Sequence, residues 1–313
     1  MKRALIIGCM GQDGTYLYEN LAKRQYEIIG IGKKVVKANL RESIDPLDIT
    51  QRKQVYEFLN KYRPQEIYYL AAYHHSSEDE MGDEAQVFNH SYEIQVLSFI
   101  NFLEAMKKYL KNSRFFYAAS SHIFGEPKEN IQTESTPLNP TCIYGITKAA
   151  GVHTCRFYRE NYKLYVSVGI LYNHESSRRS PKFVSQKIVN TAIAIKNRSQ
   201  DKLVVGNLNA KIDWGYAPDY VEAMIKILQL PEAGDFIIAS GATHTVRDFV
   251  KGVFDYLNLD WTRYVKEDAR LITKKAKDNL QGDPQKLKTL TGWQPGVSFE
   301  EMIKIMVKEA ACG

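Results

Sequence analysis

The chain has 313 residues, with 42 lysines and arginines against 36 aspartates and glutamates, which gives a formal net charge of +6. Its residues are 44% hydrophobic and 25% charged, a composition that is typical of globular proteins and excludes intrinsic disorder. No apolar run approaches the roughly 20 residues that cross a bilayer, so we expect no membrane partner. A typical domain of roughly 150 residues predicts one large or two modest domains.

The four cysteines are scattered along the chain, at Cys9, Cys142, Cys155 and Cys312, and no two form a C-x-x-C pair. This spacing predicts neither a disulfide framework nor a metal site, and it favours a reducing, cytoplasmic location. The apolar N-terminal stretch runs into the glycine-rich segment Gly11 to Gly14 without a cleavage-site pattern. We therefore expect a buried first strand there and not a secretion signal.

Basic residues gather in three short clusters, at Lys33-Lys34-Lys37, Arg178-Arg179-Lys182 and Lys274-Lys275-Lys277. None of them lies in a nucleic-acid-binding motif, so we expect no nucleic-acid partner. Each cluster could be a solvated face, whereas three clusters around one site would suit a small substrate that carries phosphates.

Short apolar runs alternate with helical stretches over the first half of the chain. The predicted strands are 3–7, 26–30, 66–70, 114–118 and 165–171, and the predicted helices are 13–23, 51–63, 87–109 and 144–161. Such alternation implies right-handed crossovers and a mostly parallel sheet. We predict an α/β fold with a Rossmann-type doubly wound sheet and a smaller mixed α/β substrate-binding lobe.

Beyond residue 171 the alternation fades into polar loops and shorter elements. We predict helices at 183–197, 219–228, 246–257 and 299–308, and strands at 203–205 and 235–238. The dinucleotide-binding domain is expected to comprise 1–171 and about 203–240. The substrate-binding lobe is expected to comprise about 172–202 and 241–313.

Gly8, Gly11 and Gly14 follow the first predicted strand and open the first predicted helix. In that context the three glycines allow a tight turn, backbone approach to a pyrophosphate and close contact between helix and sheet. The second strand ends without an acid that could bind a ribose 2′-hydroxyl, and Lys33 and Lys34 follow it. These residues by themselves favour NADP over NAD. The two lysines could equally be solvated charges, so the choice between NADP and NAD stays open.

Tyr144 and Lys148 are predicted to share one face at the start of a helix. An ammonium group beside a phenol favours the phenolate, so we expect Lys148 to lower the pKa of Tyr144 from about 10 towards neutrality. Such a tyrosine can take the proton of a substrate hydroxyl while hydride leaves the same carbon. Ser120 lies near the end of a predicted parallel strand, where it could hold the reacting oxygen.

Several longer stretches carry a resemblance to a known family. They are Gly11 to Leu17, Leu70 to Ala72, Leu171 to Ser176 with Arg178-Arg179, Asp213 to Gly215, Asp219 to Met224, Gly282 to Pro284 and Gly292-Trp293. On these residues the chain resembles the extended short-chain dehydrogenases/reductases and, within them, the GDP-mannose 4,6-dehydratases. The resemblance covers nearly the whole chain.

The resemblance implies an oxidoreductase for a GDP-linked sugar, and we expect a homodimer or homotetramer. With the residues above, the expected cofactor site comprises Gly8, Gly11, Gln12, Asp13, Gly14, Lys33, Asp48, Ile49, Leu70, Ala71, Ala72, Tyr73, His74, Tyr144, Lys148, His174 and Arg179. The expected substrate-binding residues are Ser120, Ser121, Tyr144, Asn173, Lys182 and Lys211.

The departures from the family pattern are informative. The dehydratases carry Thr-Ser-Glu where this chain has Ser120-Ser121-His122, and their glutamate removes the C5 proton before water leaves C6. Ile212 stands where the family has an arginine, and residues 273–277 lack the family's Arg-Pro-x-Glu-Val. The loop after Lys34 is shorter than in typical dehydratases.

The loss of the glutamate bears on the net reaction. Tyr144, Lys148 and Ser120 can still oxidise C4, but without a C5 base the reaction should stop at the 4-keto sugar. We favour this C4 dehydrogenase, with His122 as a fourth candidate catalytic residue whose ordinary pKa of about 6.5 would permit base chemistry. Reduction of a 4-keto sugar is one alternative, and dehydration or epimerisation is the other, with His122 as the base of the dehydration. His122 could also merely pack beside the site.

Net oxidation also bears on the cofactor. Cells keep NAD mostly oxidised and NADP mostly reduced, so we favour NAD(H) and leave NADP(H) open. A second oxidant would be needed if NADH stays bound. A hypothesis from a different class is a non-catalytic dinucleotide sensor, against which the joint presence of Ser120, Tyr144 and Lys148 argues.

Overall fold

The structure, a computed structural model, describes residues 1–33, 36–40, 43–44, 46–73, 83–271 and 280–312. The strands of these residues are β1 (Arg3–Ile7), β2 (Glu27–Ile31), β3 (Val36–Ala38), β4 (Glu66–Tyr69), β5 (Arg114–Ser120), β6 (Ile131–Gln132), β7 (Tyr165–Leu171), β8 (Asn173–Glu175), β9 (Leu203–Val205), β10 (Lys211–Tyr216), β11 (Asp235–Ile238), β12 (Thr243–Thr245), β13 (Val265–Glu267) and β14 (Gln281–Gly282).

The α-helices of the same residues are α1 (Gln12–Lys23), α2 (Arg52–Tyr62), α3 (Glu84–Tyr92), α4 (Ser98–Tyr109), α5 (Ile143–Tyr162), α6 (Val184–Lys196), α7 (Ala217–Ile227), α8 (Val246–Tyr256), α9 (Gln285–Thr291) and α10 (Phe299–Cys312). No helix in this part of the chain has the length and apolar character needed to cross a membrane.

A seven-stranded sheet organises the described residues, in the order β11-β7-β5-β4-β1-β2-β3. All its neighbouring strands are parallel except β3, which pairs antiparallel with β2. The order reverses between β1 and β4, because the chain leaves β1 towards β2 on one side and returns to β4 on the other. The carboxyl ends of β1, β4 and β5 therefore meet at one edge, where open α/β sheets bind ligands.

Helices cover both faces of this sheet, which accounts for the continuous apolar runs of its strands. On one face, buried side chains of α2, α4 and α5, such as Val55, Phe102 and Val152, pack on the strands. On the other face, α1 and α7 contribute Leu17 and Met224. The predicted doubly wound α/β fold is confirmed.

A third apolar cluster lies apart from the sheet. It joins α6, α8 and α10 through residues such as Ile188, Val250 and Met306, and it includes Trp214 of β10. Two small sheets, β12-β10-β8 and β13-β9, contribute residues to it, whereas the third, β14-β6, lies beside Tyr172 of the first cluster. The third cluster supports the segment that follows β7, including β8.

The division into domains stays a prediction, and one part of it differs from the observed strand pairing. The sequence placed 203–240 with the dinucleotide-binding domain. In the structure β9 pairs with β13, and Leu203 and Val205 belong to the third cluster. The apolar pattern of a short strand does not say which sheet it joins, whereas α7 and β11 of the same stretch do pack with the central sheet.

The five predicted strands of the first half occur within two residues of the predicted bounds. The predicted helix at 87–109 is interrupted, because Glu93–Leu97 form a π-helical turn between α3 and α4. The antiparallel strand β3 and the short strand β8 were not predicted. Three residues carry little periodicity, and these two strands lack the continuous apolar run by which the equally short β9 was predicted.

Candidate active site

Two elements bring the predicted catalytic residues together at the carboxyl end of β5. Ser120 is the last residue of β5, while Tyr144 and Lys148 lie one turn apart at the start of α5, which packs on β5. The Lys148 ammonium lies 5.7 Å from the centre of the Tyr144 ring, and Lys148 Nζ donates to the carbonyl oxygen of Ala118 at 2.7 Å. The structure therefore joins Ser120, Tyr144 and Lys148 in one group.

The electrostatics of this group differ from the expectation for Tyr144. Burial raises its pKa to about 12, opposed by the charge of Arg179 and by a hydrogen bond with Ser120. Burial likewise lowers the pKa of Lys148 to about 7. The predicted lowering of the tyrosine pKa is wrong for the chain alone, because desolvation disfavours both charged forms and Lys148 keeps only about half of its positive charge near pH 7.

His122 lies beside this group on a short 3₁₀ turn that begins after Ser120. Its ring is exposed and meets the Tyr144 ring edge-on at 5.9 Å. Its Nδ1 lies 3.9 Å from Sγ of Cys142, the residue that caps α5 by accepting a hydrogen bond from the Gly145 N–H. An imidazole therefore occupies the side of the tyrosine at which the resemblance implies a carboxylate.

The π-helical turn supports the site from behind, which the sequence did not predict. Gln95 of this turn is fully buried, and its side-chain amide donates to the Thr147 hydroxyl of α5 at 2.9 Å. The backbone carbonyl oxygen of Gln95 accepts a hydrogen bond from the Tyr117 hydroxyl of β5 at 3.1 Å. These bonds fix α5 against β5. No regular spacing in the sequence signals such a turn.

The glycine-rich turn leaves no room for a side chain at two of its three glycines. Gly8 has φ +93°, and a Cβ there would lie 2.9 Å from the Ala71 nitrogen. A Cβ on Gly14 would lie 2.3 Å from the Gly8 carbonyl oxygen, whereas one on Gly11 would meet only that oxygen at 3.5 Å. No side chain caps the first turn of α1. The N-terminus of α1 can therefore face an anion.

The next predicted cofactor residues, which follow β4, lie at the same edge of the sheet as the glycine-rich turn. Leu70 donates its N–H to the Ile7 carbonyl oxygen at 2.9 Å, which places Leu70 and Ala71 beside the turn. Ala72 is exposed and Tyr73 half-buried, and His74 lies outside the described residues.

The residues predicted near the adenosine half lie further along the chain. Lys33 is exposed just after β2, whereas Lys34 lies outside the described residues. Asp48 accepts from the backbone N–H of Thr50 at 3.0 Å, a local contact before α2. Ile49 packs on the apolar cluster of the first face.

The start of α1 is joined to β8 by a connected set of polar side chains. Both carboxylate oxygens of Asp13 lie 3.0 Å from Nε2 of His174, whose Nδ1 lies 2.7 Å from the Tyr172 carbonyl oxygen. Gln12 donates to the His174 carbonyl oxygen at 3.1 Å and accepts from the Ser176 hydroxyl at 2.8 Å. We name Gln12, Asp13, His174 and Ser176 the α1–β8 clamp.

Arg179 connects this clamp to the reaction site. Its guanidinium forms an ion pair with the buried Glu175 at 3.4 Å and stacks over the Phe183 ring at 3.6 Å. Its charge lowers the pKa values of both Asp13 and Tyr144. Arg179 therefore acts electrostatically on both groups, and its place near the cofactor stays a prediction.

The predicted substrate residues are distributed over β5, β8, β10 and the loop before α6. Ser121 is buried, Asn173 is half-buried, and Asn173 pairs with Trp214 of β10. Lys211 begins the same strand and is exposed, as is Lys182 before α6. The basic residues 274, 275 and 277, and the segment 273–277, lie outside the described residues.

Comparison with known proteins identifies the family. A model of the family described as GDP-mannose 4,6 dehydratase matches residues 5–306. A curated relative, GDP-mannose 4,6 dehydratase 2 from Arabidopsis thaliana, is 36% identical over 328 aligned residues, covering 98% of this chain and 86% of the relative. The chain belongs to the GDP-mannose 4,6 dehydratase family. The resemblance predicted from the sequence is confirmed.

Solved structures of the same architecture extend over the whole chain. RMD from Pseudomonas aeruginosa, complexed with NADPH, has a TM-score of 0.85 at 19% identity and covers 100% of this chain and 99% of its own. The dTDP-glucose 4,6-dehydratase from Bacillus anthracis, in complex with NAD, has a TM-score of 0.82 at 18% identity, covering 98% of this chain and 96% of its own. At these identities the likeness shows the Rossmann-type fold.

Family membership sharpens the meaning of the departures. The chain keeps the serine, tyrosine and lysine in one group, yet it presents His122 at the position where the resemblance implies the glutamate. Ile212 is half-buried and packs against the third apolar cluster. The chain thus keeps the three residues that the resemblance implies for oxidation and differs at the position where the resemblance implies the base for elimination.

Proposed function

We propose that this chain oxidises the C4 hydroxyl of a GDP-linked sugar, of the GDP-mannose or GDP-manno-heptose class, to the 4-keto sugar without dehydration. The observation that carries the proposal is the imidazole of His122 beside Tyr144, in place of a carboxylate. The substrate class is supported by relatives that are named GDP-mannose 4,6 dehydratases.

The described residues fit a nicotinamide dinucleotide. The turn from Gly8 to Gly14 would hold its diphosphate at the N-terminus of α1, where unpaired backbone N–H groups attract an anion. Leu70 and Ala71 would border it at the end of β4, and Arg179 would add positive charge. When bound, the nicotinamide ring supplies the acceptor for the hydride that leaves C4.

The residues of the chain handle the proton in this step. Tyr144 accepts the proton of the C4 hydroxyl, and Ser120 orients the sugar oxygen by a hydrogen bond. Lys148 lies close enough to stabilise the phenolate if its ammonium is charged. Since burial holds the Tyr144 pKa at about 12, the oxidation depends on a further positive charge near the phenol, and Arg179 already acts in that direction.

Elimination of water needs a second base that removes the C5 proton. Asp13 is a carboxylate whose charge raises the pKa of Tyr144, but both of its oxygens lie within hydrogen-bond distance of His174. His122 has a different shape from a glutamate, and its Nδ1 faces Cys142. We therefore expect the chemistry to end at the ketone, with the cofactor reduced at each turnover.

Net oxidation favours NAD(H) as the cofactor, and the exposed Lys33 would equally accept a 2′-phosphate, so NADP(H) is not excluded. Without elimination the hydride is not returned to the sugar, and an enzyme that keeps NADH bound needs a second oxidant. Reduction of a 4-keto sugar is the same chemistry in reverse. A homodimer or homotetramer and a cytoplasmic location stay predictions.

The test is the mass of the product. Purified protein is incubated with NAD or NADP and with GDP-mannose or GDP-manno-heptose, and we expect a product lighter by two hydrogens. The matched variant His122→Gln should give the same product. Loss of one water by the natural protein, abolished in His122→Gln, would instead make His122 a dehydratase base. Binding of NADH with no change in any GDP-sugar would indicate a dinucleotide sensor.

A further inference from the structure

His174 is buried at the contact between α1 and β8, with its ring stacked on Tyr220 at 4.7 Å. The resemblance implies that it lies near the cofactor. In the structure both of its ring nitrogens are already engaged within the chain, one by Asp13 and one by the Tyr172 carbonyl oxygen. Its effect on a cofactor therefore has to pass through another residue.

The two partners of the ring determine its protonation. A carbonyl oxygen can only accept a hydrogen bond, and an ionised carboxylate can only accept as well. A neutral imidazole carries one N–H and could satisfy only one of them. The lowered pKa of Asp13 keeps its carboxylate ionised, and with that partner both short contacts are satisfied together only when both ring nitrogens carry a proton. The ring is then an imidazolium that faces an ionised Asp13.

The shifts of both groups agree with this state. Burial disfavours the charge on His174, but the carboxylate of Asp13 raises its pKa above the ordinary value. Burial would also raise the pKa of Asp13, yet His174 and Arg179 hold it below its usual range. The charged and titratable groups that face the ring are Asp13 from α1, Arg179 from the loop after β8 and Tyr220 from α7.

The position of Asp13 gives this charge a role. Asp13 lies between Gln12 and Gly14 in the first turn of α1, where the proposed diphosphate would bind. An uncompensated carboxylate there would repel an anionic ligand, and this repulsion is strong in a partly buried site. A neighbouring imidazolium makes the pair neutral and leaves the N–H groups of the turn to attract the phosphates.

We propose that His174 is a positioning residue that acts through Asp13: its imidazolium neutralises the carboxylate at the start of α1 and so allows the turn to accept a dinucleotide diphosphate. This inference rests on one part of the proposed function, the binding of a dinucleotide. It does not depend on which product is formed from the sugar. Gln12 and Ser176 add the uncharged links that hold β8 in register with the turn.

In the test, NADH is titrated into the purified full-length chain, and binding is monitored by the fluorescence of NADH. His174→Gln keeps a hydrogen-bond donor but removes the charge, and we expect its Kd for NADH to rise about tenfold or more. The double variant Asp13→Asn with His174→Gln removes both charges and should recover affinity to within about threefold of the natural protein. The matched control His153→Gln makes the same substitution at an exposed histidine of α5, outside the clamp, and should change the Kd less than about twofold.

Two results would overturn the inference. One is a His174→Gln variant with unchanged affinity, and the other is a double variant as weak as His174→Gln, which would show a role in shape and not in charge. Should His174→Gln fail to fold, nitrogen NMR of the natural protein labelled at histidine decides. Two protonated ring nitrogens on His174 at neutral pH support the inference, and a single protonated nitrogen refutes it. Natural protein that binds NADH but dehydrates its sugar would contradict the proposed function alone.

Discussion

Two buried polar groups lie at the same edge of the central sheet and are built differently. In the α1–β8 clamp, Asp13 and His174 satisfy each other, and each charge has a partner of opposite sign. In the reaction site, burial moves the pKa of Tyr144 to about 12 and that of Lys148 to about 7, so both groups are shifted away from their charged forms. The clamp is arranged for stability and the reaction site for chemistry.

The reaction site carries a cost in stability that the clamp avoids. Burial of an ionisable group without a counter-charge is costly, and such groups cluster at functional sites. The Lys148 ammonium donates to a neutral carbonyl oxygen and lies over aromatic rings, whereas the Asp13 carboxylate meets an imidazolium. Removing a member of the first group should therefore affect the reaction most, and removing a member of the second should affect binding and stability.

The largest effect is expected at Tyr144. Tyr144→Phe removes the proton acceptor and keeps the ring, so turnover should fall by about 10²- to 10⁴-fold. The Kd for NADH should change little, because the clamp and the glycine-rich turn are untouched. Steady-state rates and a NADH titration on the same preparation measure both. A variant with full activity would contradict the assignment of the base.

The next largest effect concerns the turn beside the clamp. A methyl group on Gly14 would lie 2.3 Å from the Gly8 carbonyl oxygen and 2.6 Å from the Cys9 Cα, both backbone atoms. Gly14→Ala should therefore lower the free energy of unfolding by several kcal/mol and abolish NADH binding. Gly11→Ala is the matched control, since its methyl group would meet only one atom, at 3.5 Å. Equal behaviour of the two variants in denaturant titrations would refute this account of the turn.

Replacing Lys148 should raise the free energy of unfolding, whereas Gly14→Ala lowers it. Lys148→Met removes a buried amine, so we expect loss of turnover together with a gain in the free energy of unfolding of up to a few kcal/mol at neutral pH. The folded pKa of about 7 lies below the unfolded value, so the unfolded chain binds the extra proton between them. The natural protein therefore gains stability as pH rises from about 7 to 10, and the gap should close there. A destabilised variant at neutral pH would contradict this.

The smallest effect is expected for the charge of the clamp. The pKa of His174 is raised on folding and that of Asp13 is lowered, so the pair contributes fully between about pH 4 and pH 6.5. Its contribution is lost as pH rises through the folded pKa of His174, and as pH falls through that of Asp13. His174→Gln should cost about 2 kcal/mol inside this window and less above it. A cost that does not vary with pH would show that no charge is involved.

The sequence predicted the parts of the site that depend on order along the chain. The glycine-rich turn, Ser120 at a strand end, and Tyr144 with Lys148 on one helix face follow from local spacing. The sequence could not show that His174 and Asp13 meet, because they lie on different elements and only the tertiary fold joins them. It also misjudged the Tyr144 pKa, since desolvation depends on the burial that the completed fold imposes.

The π-helical turn marks a similar limit. Apolar periodicity predicted one helix through Gln95, and nothing in the local pattern indicates a widened turn. Its role becomes visible only through the hydrogen bonds of Gln95 with Thr147 and Tyr117. The features of the site that could not be predicted from the sequence are therefore mostly polar contacts between elements that are distant along the chain.

Whether the sugar is oxidised without elimination is decided by counting the reduced cofactor formed per sugar. Enzyme in excess over a GDP-sugar is mixed with NAD, and the absorbance of reduced nicotinamide is followed through a single turnover while the product is weighed. Oxidation without elimination predicts one equivalent of reduced cofactor per sugar and a product lighter by two hydrogens. A transient reduction that returns to zero, with a product lighter by one water, would contradict it.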